Sequence, residues 1–189
     1  MKKKFLLAFV LMLASLCLSL NAQAFDYAYA FHDPLLPSSS YRVDQDFAEY
    51  NSYYGKYHLG EDRNRGTCDD DYGDNVYSVA NGRVMYAQNA GTSWGNVVII
   101  RHILPDITVV NTLYGHLKTI NVSVSQDVSL GQKIGELGDA GGYYNCAHLH
   151  LELRTDRSLE TVPGSGYLSS LSDPLWDDYE DPSDFIANH

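Results

Sequence analysis

The chain has 189 residues, 44% of them hydrophobic and 12% aromatic, and its 24 acidic residues against 13 basic ones give a net charge of -11. So acidic a composition excludes the basic face that nucleic-acid binding requires. The length suits one domain with a single core, and the sequence contains no internal repeat or low-complexity tract that would point to a solenoid or a linker array.

Lys2, Lys3 and Lys4 precede an apolar run from Phe5 to Leu20 and a small-x-small stretch, Ala22-Gln23-Ala24. These three features in this order predict a secretory signal peptide over residues 1–24. The apolar run is too short and wrongly flanked for a membrane span. Leu16 stands before Cys17, where a lipoprotein signal wants a small residue, so Cys17 is not read as a lipidation site. Cleavage removes three lysines and no acid, leaving 10 basic residues against 24 acidic ones and a net charge of -14. The expectation is an exported monomer without membrane attachment after cleavage, periplasmic or otherwise secreted.

Residues 25–40 mix aromatics, prolines and serines without a sustained period and read as an extended lead-in. Tyr41 to Phe47 predicts a first strand, and Tyr50, Tyr53, Tyr54 and Tyr57 then lead to His58. Fifteen tyrosines is a high number for this length; their amphipathic rings suit the walls of a groove that grips a polar polymer. In His58-Leu59-Gly60-Glu61-Asp62 an imidazole and a carboxylate lie four apart around a glycine, and Gly55 and Gly66 on either side argue for a loop or strand end. Asn64 to Asn75, with Asp69, Asp70 and Asp71, reads as a solvated acidic loop.

From residue 74 the pattern is β. Val76 to Ala80 and Arg83 to Ala87 flank Asn81-Gly82, a dipeptide that favours a two-residue hairpin because both positions tolerate positive φ. Val97 to Ile100 is a short β-branched run that fits a strand buried on both faces. Thr108 to His116, Val122 to Leu130 and Lys133 to Leu137 predict further strands, with Gly138, Gly141 and Gly142 marking bends. Ala147 to Arg154 reads Ala-His-Leu-His-Leu-Glu-Leu-Arg, the period of two of a strand with one buried face. Leu149, Leu151 and Leu153 would pack inward, and His148 and His150 would share the other face. After Arg154 an acidic, aromatic tail, residues 156–189, is expected to pack on the domain, with a short helix near Pro182 to Ala187 or a wrap across the sheet. Together these elements predict an all-β fold, an antiparallel β-sandwich with a groove and little helix, over residues 41–155.

Cys68 and Cys146 remain after signal cleavage, and an even pair in an oxidising compartment suggests one disulfide. The alternatives are two buried thiols, or zinc ligation, which the lack of a C-x-x-C pair disfavours. His32, His102 and His189 have no partner by motif and read as surface or turn histidines. The polar groups at strand ends are His58, Asp62, His116, His148 and His150. A catalytic zinc takes three protein ligands and keeps a fourth position for water, whose pKa it lowers to about 7. Five candidates supply three ligands and two histidines for proton transfer and oxyanion stabilisation.

His58-x-x-x-Asp62, then Leu113-Tyr114-Gly115-His116-Leu117, then His148-Leu149-His150, resemble the motifs of the lysostaphin-type (LytM-type) zinc metalloendopeptidases of peptidoglycan. The similarity extends through residues 74–84, 95–102 and 131–135. The resemblance implies a peptidase domain that hydrolyses peptide cross-links or stem peptides of bacterial peptidoglycan by attack of zinc-bound water. It further implies one Zn2+ held by His58, Asp62 and His150, with His116 and His148 as the catalytic pair. The family's usual proline or small residue before the HxH motif is replaced by Cys146-Ala147, and glycine precedes His116 where alanine is commoner, a change expected to be tolerated.

The alternative is a non-catalytic wall-binding protein or an activator of other wall hydrolases, a fate known for family members that lost their ligands; all five residues are kept here. A biotinyl-type carrier would need a lysine at the Asn81-Gly82 turn. A cupin-type enzyme would need a glutamate where Arg154 stands. Glu152 reads as a partner behind a metal-ligating histidine or as a solvent-facing strand residue.

Overall fold

A computed structural model describes residues 26–139 and 146–189; the expected signal peptide and the glycine pair Gly141-Gly142 lie outside the described residues. The strands are β1 (Arg42–Gln45), β2 (Tyr50–Asn51), β3 (Lys56–His58), β4 (Glu61–Asn64), β5 (Asn75–Tyr77), β6 (Gly82–Asn89) and β7 (Asn96–Ile103). They continue with β8 (Val109–Ile120), β9 (Asp127–Val128), β10 (Lys133–Leu137), β11 (Leu149–Arg154), β12 (Tyr167–Leu168) and β13 (Tyr179–Glu180), and helix α1 (Pro182–Asn188) ends the chain. The architecture is all-β, as its patterning predicts. A large antiparallel sheet has the order β1-β4-β11-β8-β7-β6-β9, with β10 and β5 attached at β8, and a small sheet has the order β12-β3-β2.

The main core forms where apolar residues of alternating strands meet. Val84, Val98, Ile100, Tyr114, Leu149, Leu151 and Leu153 are buried in it. Val97, Ile99 and Leu113 pack on the opposite face under Trp94 and Tyr86, so β7 is buried on both sides, as its β-branched run predicts. The lead-in belongs to this core. Ala28 N–H donates to Ile103 O, His32 N–H donates to Val79 O, and Phe31 meets Phe185 of α1 edge-on at 5.1 Å. Phe31 and Leu35 are buried, and no described residue of the lead-in lines the groove beside His116 and His150.

Two local expectations fail for identifiable reasons. Asn81-Gly82 does not close a hairpin: β5 pairs with β10, while β6 pairs with β7 and β9. Gly82 instead passes so close to the Arg101 carbonyl that a β-carbon would lie 2.5 Å from it. Neither position has the positive φ of that turn. Strand β11 is buried on both faces, because the chain after Arg154 returns over it. Tyr167 pairs with His58, Leu168 with Tyr57, and Tyr179 with Arg154, so the tail builds a second layer around Leu59, Leu168 and Tyr179.

Candidate metal centre and groove

Three adjacent strands of the large sheet set the site. His150 on β11 lies in register with Asp62 on β4 and with Gly115 on β8. His58 comes from β3 of the small sheet, and Gly60 turns the chain from β3 into β4 directly over β11. A β-carbon at Gly60 would collide with the Leu151 carbonyl and lie 2.8 Å from Glu152 Cγ, so glycine is required between the histidine and the aspartate.

His58 Nε2, Asp62 Oδ1 and His150 Nδ1 converge, and they form a group able to hold a metal ion. The edges of their triangle are 2.9 Å (His58 to His150), 2.9 Å (His150 to Asp62) and 3.4 Å (His58 to Asp62). Tetrahedral ligands at zinc bond lengths stand about 3.3 Å apart, so a small rearrangement admits the ion. The far nitrogens agree with this. His150 Nε2 lies 2.9 Å from Glu152 Oε1 and His58 Nδ1 3.3 Å from the Asp46 carbonyl, contacts in which each ring donates its second N–H and keeps a lone pair for the centre. A second acidic group, Asp46, Glu61 and Asp181, lies outside this groove's metal end, where Glu61 instead accepts from Arg63 and from the Ser183 N–H.

The electrostatics follow from burial and pairing. Burial alone would raise Asp62, but the charge of His58 and hydrogen bonds from His150 and His58 hold its carboxyl well below the usual range. Burial lowers His150, and hydrogen bonds to Asp62 and Glu152 outweigh it and carry it up to about 9. Glu152, with no exposed surface, is held below the usual range against its burial by the Arg154 guanidinium, 2.6 Å away, and by His150. Arg154, equally buried, spends its remaining N–H groups on the carbonyls of Leu159, Val162 and Pro163. A buried charge is tolerated when paired and fully bonded in this way.

His116 and His148 stand beside the triangle with ring centres 4.6 Å apart. His148 Nδ1 donates to the Cys146 carbonyl at 2.8 Å, and its Nε2 lies 4.0 Å from Asp62. His116 occupies a bulge, since Asn96 and Val98 of β7 face Leu117 and Tyr114 of β8, and its φ is 59°. Extra residues of this kind re-aim side chains at functional sites. Burial, then the charges of His148 and His150, hold the His116 pKa well below its ordinary value, leaving a neutral imidazole.

A groove of about 940 Å³ opens over the triangle. Tyr50, Tyr53 and Tyr54 line it as the sequence leads one to expect, together with Tyr167 and Trp94, whereas Tyr57 does not. Tyr167 packs on His58 at 5.0 Å, and its hydroxyl donates to Gln45. Cys68 and Cys146 are bonded to each other at the groove's edge, bridging 78 positions and fixing the acidic loop beside His148. Ala147 N–H donates to Asp69, and Asn64 donates to the Ala147 carbonyl.

Trp94 and Tyr167 carry no motif and escape a reading of the sequence; the available signal is only that each neighbours glycines, Gly95 and Gly166. His102 is no surface histidine. It is fully buried, bonded to the Asn81 carbonyl and Thr112, and burial lowers its pKa to about 4. His32 is exposed as expected, and His189 stacks on Phe185 at 4.0 Å.

The sequence profile of Peptidase family M23 matches residues 64–161. The murein hydrolase activator NlpD of Escherichia coli is 37% identical over 82 residues, which are 43% of this chain and 20% of NlpD. The chain therefore corresponds to about a fifth of that relative's length. The catalytic domain of the antimicrobial peptidase lysostaphin from Staphylococcus simulans superposes with a TM-score of 0.57 and 25% identity, over 79% of this chain and 94% of that one. A zinc-containing peptidase from Vibrio cholerae superposes with a TM-score of 0.55 and 29% identity, over 67% of this chain and 37% of the other.

Proposed function

Because the chain belongs to peptidase family M23, with a fold of the lysostaphin type, we propose that it is an exported zinc metalloendopeptidase that hydrolyses peptide bonds of bacterial peptidoglycan. The observation that carries this reading is the convergence of His58 Nε2, Asp62 Oδ1 and His150 Nδ1 at the floor of an open groove, each imidazole with its second nitrogen engaged elsewhere. His58, Asp62 and His150 would hold the ion. Zinc, when bound, supplies a Lewis acid for the scissile carbonyl and lowers the pKa of water at its open position. His116, neutral and with Nδ1 engaged, takes a proton at Nε2 as general base. His148, its Nδ1 likewise engaged, presents Nε2 toward Asp62 and is placed to hydrogen-bond the developing oxyanion or return the proton. The tyrosine wall orients the peptide, and the leader and the periplasmic location belong to the same reading.

A second reading, an activator of other wall hydrolases, is favoured by the similarity to NlpD, a murein hydrolase activator. Digestion of purified sacculi by the protein alone separates the two, with released muropeptides identified by chromatography. The enzyme releases peptides cut at one bond type and stops when a chelator is added; the activator releases none alone and accelerates a second hydrolase. Replacing His150 or Asp62 should abolish zinc binding, while His116→Ala or His148→Ala should keep zinc and reduce turnover by about 10²–10⁴-fold. The reverse pattern refutes the assignment of roles.

A further inference from the structure

The Trp94 side chain has no role in the chemistry above, yet it touches both His116 and His150. Its carbonyl accepts both the His116 backbone N–H, at 3.0 Å, and His116 Nδ1–H, at 3.2 Å. Its indole stacks on the His116 imidazole, with centres 5.8 Å apart and planes 20° from parallel, and meets His150 edge-on at 5.1 Å. Two glycines make room for it: a β-carbon at Gly115 would lie 3.0 Å from the ring, and one at Gly166 3.3 Å. The indole N–H donates to the Gly164 carbonyl at 3.0 Å, in the segment that Arg154 grips from the other side. The exposed turn between β6 and β7 has internal backbone bonds, Ala90 N–H to Gly95 O and Gly95 N–H to Gly91 O, both 2.8 Å, and reaches β8 through the Trp94 carbonyl. The indole is thus what fastens that turn to the second layer.

We propose that Trp94 is a positioning residue for His116: the indole, wedged between Gly115 and Gly166 and tethered to residue 164, sets the carbonyl that fixes the imidazole as its Nδ1–H tautomer. This rests on the peptidase reading. Although Trp94 lines the groove, one face of the indole is covered by the imidazole and its rim by the two glycines, so its loss is expected to fall mainly on turnover. It also explains why glycine stands before His116. The alanine that is commoner at this place in the family would bring its methyl to 3.0 Å from the indole, tight enough that the ring must shift.

The test is a cycle of Trp94→Ala, Gly115→Ala and the double variant, made in the zinc-loaded full chain, with kcat, KM, zinc content and the ¹⁵N signals of His116 measured on each. Expected are a fall in kcat of about ten- to a hundredfold for each single variant, KM within about twofold, zinc unchanged and His116 averaging over two tautomers in Trp94→Ala. The double variant should lose less than the two singles combined, because the methyl of Ala at 115 fits once the indole is gone. Trp94→Phe, which keeps the wedge, should retain most of kcat. Should Trp94→Ala not fold, Trp94→Leu carries the same comparison. Unchanged kcat, a loss confined to KM, or a single Nδ1–H tautomer surviving in Trp94→Ala would overturn the proposal. If the wild-type chain cleaves nothing, the peptidase reading fails separately, and the ¹⁵N signals of His116 alone decide.

Discussion

Each imidazole of the site is distinguished by what its second nitrogen touches. His58 and His150 point one nitrogen at the common centre and give the other to Asp46 O and Glu152, whereas His116 and His148 give Nδ1 to the carbonyls of Trp94 and Cys146. The Glu152 contact is the most exposed to test, since the carboxylate is held in turn by Arg154. Glu152→Gln should weaken zinc affinity by about ten- to a hundredfold, measured by competition with a coloured chelator, without removing any ligand. His102 sets a separate expectation for stability against pH. Its folded pKa, about 4, lies below its ordinary value of 6.5, so between those values the unfolded chain binds the extra proton. Stability from this group is complete above pH 6.5 and declines toward pH 4 by up to about 3 kcal/mol. Denaturant midpoints across that range should fall more steeply for the wild type than for His102→Gln.

At the scale of elements, β11 carries the molecule: its three leucines lie in the main core and its polar side chains build the metal end. Leu151→Ala should cost about 3 kcal/mol by denaturant unfolding, the range for a fully buried leucine. The disulfide between Cys68 and Cys146 ties the loop before β5 to the chain three residues ahead of β11. Replacing both cysteines by serine should lower stability by about 2–5 kcal/mol, read as an earlier thermal transition. The alternation of β11 was legible because leucines recur at every second residue, and the grouping of His58, Asp62, His116, His148 and His150 was legible from motifs that resemble those of the lysostaphin-type peptidases. The burial of Glu152 and Arg154 was not. Alternation predicts a solvated polar face, and the turn at Gly60 together with the return of the tail over β11 turns that face into an interior. Asn81-Gly82 misled for a related reason: a glycine chosen by turns and a glycine chosen by a close backbone approach look alike in one dimension.

At the scale of the whole molecule, two sheets meet where the proposed metal ligands do. His150 and Asp62 belong to the large sheet and His58 to the small one, which the tail completes through Tyr167. The tail thus pairs with the strand that carries His58, and zinc should raise the thermal transition of the full chain while a chelator reverses the rise. X-ray absorption at the zinc edge of the loaded protein tests the convergence of these side chains most directly. Expected is one zinc per chain with nitrogen and oxygen neighbours at about 2.0–2.2 Å and no sulfur, a signal that disappears in His150→Ala. Sulfur at about 2.3 Å, or a protein that retains no zinc after dialysis, would contradict a centre built from His58, Asp62 and His150.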